Sequence, residues 1–158
     1  MEIIKNFKNL FIIILLCLSY SCDKNFLNEC VEGEFIIEKV KYKNYNLKLL
    51  LDLNIMTFYS NGNVKLPSVF NYDENITGDT NVDGKWSIST EEKKIYLVIK
   101  SNNKYFNGRY SVKFEKDDTR KAFIMLLSND STTLNIVKND LNYTANESKI
   151  NKAIRISN

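Results

Sequence analysis

The chain has 158 residues, a net charge of +3, 44% hydrophobic and 26% charged residues, which is one domain of ordinary globular composition. It contains no histidine, and that excludes Ser-His-Asp and Cys-His catalysis, HExxH zinc sites and His-ligated haem. Its three cysteines are too few for thiolate zinc sites or iron–sulfur clusters.

The N-terminus reads as an export signal. Lys5 and Lys8 form a basic start, and Leu10-Phe-Ile-Ile-Ile-Leu-Leu-Cys-Leu18 is an uncharged apolar run. That run is shorter than the roughly 20 residues a membrane-spanning helix needs. Ser19 and Ser21 place small residues at −3 and −1 of a cut before Cys22. Two outcomes stay open. Leu18-Ser-Tyr-Ser-Cys22 resembles a bacterial lipobox, in which the cysteine is acylated and becomes the first residue. The protein is then anchored to the cell envelope, with the outer membrane expected, by lipid rather than by a helix. Alternatively an ordinary signal peptidase cuts the same bond, releases a secreted protein, and leaves Cys22 free to pair with Cys30. Cleavage removes Glu2, Lys5 and Lys8, and the small remaining positive charge is too evenly spread to argue for nucleic acid.

Residues 22–32 read as a short polar tether, and 33–140 as the folded domain. Strands are expected near 34–42, 55–60, 63–70, 84–89, 93–101, 105–116, 121–128 and 132–138. Arg109-Tyr-Ser-Val-Lys-Phe-Glu115 alternates apolar and polar residues, as does Lys85-Trp-Ser-Ile-Ser89, which marks half-buried antiparallel strands. Ile95–Ile99 and Ala122–Leu127 are continuous apolar runs, expected to be covered on both faces or fitted to a cavity or partner. Ser60-Asn-Gly-Asn63 predicts a two-residue type I′ hairpin. Asn46–Leu53 is open between a helical turn plugging one end and an extra strand, with its Leu and Lys content favouring the helix. Short loops make successive strands neighbours, so the expected fold is all-β, an antiparallel up-and-down barrel of about eight strands. Residues 141–158 are a polar tail or a short helix. Thr144-Ala-Asn-Glu147 has a capping-box pattern, and Ile150, Ala153 and Ile154 share a helical stripe.

Several short motifs add up to a family resemblance. Gly33-Glu-Phe35 opens the first strand, with Phe where Gly-x-Trp is usual. Met56-Thr-Phe-Tyr-Ser-Asn-Gly62, Gly84-Lys-Trp86 followed by Ser-Ile, and Phe106-Asn-Gly-Arg-Tyr110 follow in order. Over roughly residues 31–140 the chain resembles the small lipocalin-like domains of Gram-negative lipoproteins. The resemblance implies a lipocalin-like barrel at the envelope and no specific activity.

Candidate sites are few. Asp79, Asn81 and Asp83, followed by Gly84, match the first half of a calcium loop, but Thr90 stands where a bidentate Glu is required, so a polar turn is expected and no metal. No catalytic residues and no cofactor are expected. The aromatic count (nine Tyr, nine Phe, one Trp) suggests an aromatic-lined barrel mouth for a small apolar or amphipathic ligand, with Phe58, Trp86, Tyr110 and Phe114 as its candidates. The alternative is a protein-interaction module, an inhibitor, immunity or accessory subunit, using the barrel exterior.

Overall fold

Alternating side chains, short turns and a single proline commit most of this chain to neighbouring strands. The computed structural model describes residues 25–70, 83–139 and 143–157. A helix, α1, covers 25–31. The strands follow as β1 (Gly33–Tyr42), β2 (Tyr45–Asn46), β3 (Ile55–Phe58), β4 (Asn63–Lys65), β5 (Asp83–Glu91), β6 (Lys94–Ser101), β7 (Gly108–Asp117), β8 (Ala122–Ser128) and β9 (Thr132–Asn139). Helix α2 (Tyr143–Ser157) follows β9. From β3 onward each strand pairs antiparallel with the next, β1 pairs with β3, and β1–β9 pairing closes eight strands into a barrel. The short β2 is the ninth strand and forms a hairpin on the far end of β1. The expected all-β, up-and-down barrel is therefore the fold.

Inward residues fill the closed barrel. Tyr110, Val112 and Phe114 of β7 point inward, as do Trp86 and Ile88 of β5. Leu47, Leu51, Val69 and Phe106 are buried with them around the loops at one end. The other end is closed by the two helices. Leu27 and Val31 of α1 are fully buried, and Ile150 and Ala153 of α2 join the same core. Helix α2 packs against β6 and β7, where the Phe114 backbone N–H donates to Ser157 Oγ at 3.1 Å.

Four expectations change in detail. The segment read as a polar tether is helical from residue 25, because Phe26, Leu27, Cys30 and Val31 fall on one helical face and meet the core. The strand expected to reach residue 70 stops at Lys65, two residues before Pro67, which has no N–H to give the ladder. Leu51 and Val69 still form an isolated bridge. Residues 46–53 supply both alternatives, the end of β2 and a 3₁₀ turn at Lys48–Leu50. The Ser60–Asn63 hairpin is not type I′: of its residues only Gly62 has positive φ (+78°), and its N–H donates to Tyr59 O. The paired positive φ values of a I′ turn occur instead at Lys43-Asn44 and Glu92-Lys93.

Candidate functional site

The four aromatic candidates belong to the barrel's own packing. Phe58, Trp86, Tyr110 and Phe114 are all 7% exposed or less. Phe58 meets Phe35 and Trp86 edge-on, at centroid distances of 5.8 and 5.6 Å. The Trp86 indole N–H donates to Tyr59 O at 2.9 Å. Tyr110 donates its hydroxyl proton to Phe106 O at 2.9 Å, and burial pushes its phenol up to about 12. Phe114 stacks on Phe123 at 5.1 Å. An eight-stranded barrel has an interior just wide enough for such side chains to fill. None of the four borders the cavities described below. The expected aromatic mouth is thus a packed interior.

The remaining sequence candidates divide simply. Cys22, Asp79 and Asn81 lie outside the described residues. Asp83 opens β5 opposite Lys65. Among the described residues no three Cys, Asp or Glu side chains converge as a metal site. Cys30 is a free thiol on α1 facing Phe123 and Ile150, and burial pushes it up to about 11, against the pull of Lys138. At neutral pH it is a protonated, weakly nucleophilic packing group.

A concavity lies on the outside of the wall formed by β1, β9, β8 and β7. Directly paired residues share a sheet face, so the pairing register builds this surface in rows. Nearest the helical end, Ile55, Ile36, Val137 and Ile124 form an apolar row across β3, β1, β9 and β8. The next row reads Lys39, Asn135, Leu126 and Lys113. The third reads Lys41, Thr133, Ser128 and Ser111. A register shift between Ile37 and Lys39 lets Glu38 and Lys39 both leave the interior, with Glu38 paired to Arg120 and Lys39 turned to the groove.

These rows enclose a groove of about 710 Å³. Lys39 and Lys41 line one side, Lys113 and Lys94 the other, and no acidic residue lines it. Lys113 is paired with Glu115 at 2.9 Å, whereas Lys39, Lys41 and Lys94 make no ion pair among the described residues. On the floor, Ser111 Oγ and Ser128 Oγ are 2.8 Å apart. The side-chain oxygen of Asn135 is buried beneath it with no hydrogen-bond partner among the described residues. A second hollow of about 320 Å³ shares Lys41 and Thr133 and adds Lys43 and the carboxylate of Asp130, toward the β1–β2 turn. Beyond that end, Tyr45, Leu49, Leu53 and Phe70 are exposed, with the Phe70 N–H bonded to Leu50 O.

Sequence reasoning missed this groove because β1 and β9 meet only on closure. The local signal was present in outward lysines at alternate positions of β1 and in Leu126 and Asn135 on outward positions. Comparison with protein-family models, curated proteins and solved structures gives no match.

Proposed function

We propose that the protein is a non-enzymatic cell-envelope lipoprotein, anchored through Cys22 and expected at the outer membrane, that acts as a protein-interaction module through the outside of a lipocalin-like barrel. The observation that carries this reading is the contrast between a filled interior and a lysine-lined outer groove. A ligand inside the barrel would have to displace packed aromatic side chains, and losing one such ring costs about 3–5 kcal/mol. The exterior, in contrast, offers uncovered lysines and exposed apolar side chains, the features of a surface that meets a partner.

The anchor fits the same picture. Only three peptide steps separate Cys22 from Asn25, the first described residue of α1, a reach of at most about 11 Å. An acylated Cys22 would therefore hold the helical end near the bilayer, leaving the β1–β9–β8–β7 wall facing sideways.

The test is photo-crosslinking in the native envelope, with p-benzoylphenylalanine placed at Leu126 in the groove or at Lys65 on β4. A protein adduct from position 126 and none from position 65 is the expected result. Equal labelling from both, or none from either, would count against the reading.

A further inference from the structure

We infer that the groove on β1, β9, β8 and β7 is a docking site for an extended, acidic segment of a partner protein; this deepens the interaction-module reading and rests on it. Charge gives the first argument. Four lysines border the groove without a lining carboxylate, and Lys39, Lys41 and Lys94 have no ion-pair partner among the described residues. Such a field attracts anions and repels basic segments.

Spacing gives the second. Lys39 and Lys41 stand on alternate positions of one strand, about 6.8 Å apart along it. An extended peptide repeats its side chains on one side at the same interval, so carboxylates at i and i+2 match the two lysines. Lys113 lies three strand steps from Lys39, about 14 Å across the sheet. That width accepts one extended chain, with its acids on the side facing Lys39 and Lys41.

Shape gives the third. The two lysines of β1 are fixed at strand spacing, an interval that an extended polypeptide repeats along its length and a fluid lipid surface does not. This favours an acidic polypeptide over an anionic lipid for the same lysines. The exposed Ile36 beside the groove suits an apolar residue within the segment.

The experiment measures binding of a fluorescein-labelled peptide of alternating Glu and Val to the purified full chain. A peptide of alternating Lys and Val and phosphatidylglycerol vesicles serve as competing probes. The acidic peptide is expected to bind, and the double variant Lys39→Glu/Lys41→Glu is expected to weaken it by about tenfold or more. Lys65→Glu, on a different wall, is expected to leave binding unchanged. Urea unfolding midpoints of the variants confirm that each is folded. The inference is overturned if the acidic peptide fails to bind, if Lys65→Glu weakens it equally, or if vesicles bind through Lys39 and Lys41 and displace it. Failure here is distinguishable from failure of the interaction reading: a groove crosslink to a protein that the acidic peptide does not displace overturns the acidic-segment assignment alone.

Discussion

At the scale of single residues, the barrel uses its aromatics as filling and holds its unsatisfied chemistry on the outside. Asn135 is the clearest case. A buried acceptor without a donor costs about 1–3 kcal/mol. Replacing it with Leu, beside Leu126 across the pair, is expected to raise stability by about 1 kcal/mol. Urea unfolding of Asn135→Leu measures the effect, and a stability loss would place the side chain in the structural network instead. Two buried weak acids set the alkaline limit. Burial raises Cys30 from its ordinary 9.0 to about 11 and Tyr110 from 10.0 to about 12. Between each pair of values the unfolded chain has lost a proton that the folded chain keeps, so stability falls as pH rises. Full stability is expected below about pH 9, with loss beginning there and a second loss from about pH 10. Unfolding midpoints across this range check the sign, and Cys30→Ala should remove the earlier loss.

At the scale of elements, turns and helices carry the departures from pattern. Glu92 and Lys93 hold φ of 49° and 65° in the hairpin between β5 and β6, a region that costs L-residues about 1–2 kcal/mol each. Changing Glu92-Lys93 to Asn-Gly is expected to raise stability by about 1 kcal/mol, read as a higher thermal midpoint; no change would mean the turn carries no strain. In α1, Leu27→Ala removes a fully buried side chain and is expected to cost about 2–5 kcal/mol in urea unfolding. A cost near zero would restore this segment to a loose tether. Legibility followed the same division. Arg109–Glu115 and Lys85–Ser89 showed their inward faces directly, because alternation is local. The C-terminal stripe of Ile150, Ala153 and Ile154 was legible for the same reason: the first two are buried and Ile154 is partly buried against the core. Helix α1 was not, because its four core-facing residues sit among Asn and Glu close behind the signal-like run. The hairpin at Gly62 was legible as a turn, but its type was not: Asn61 has no positive φ and its side chain accepts from the Asn63 N–H.

At the scale of the whole molecule, closure creates the surface that local patterns could not reveal. Lys39 and Asn135 are almost a hundred residues apart and become neighbours only through the β1–β9 pairing. The same closure packs Phe58, Trp86, Tyr110 and Phe114 together, so residues that suggested a ligand mouth in the sequence became core. Aromatic content alone does not distinguish the two, because strands favour Phe and Tyr whichever role they take. The outer wall is the proposed site of function, and the helical end is proposed to lie toward the membrane. Native mass spectrometry of the protein gently extracted from its own envelope tests this most directly. The account predicts an acylated Cys22 and a protein partner that is lost in the Lys39→Glu/Lys41→Glu variant. A small apolar molecule bound to the chain and retained in that variant would contradict it.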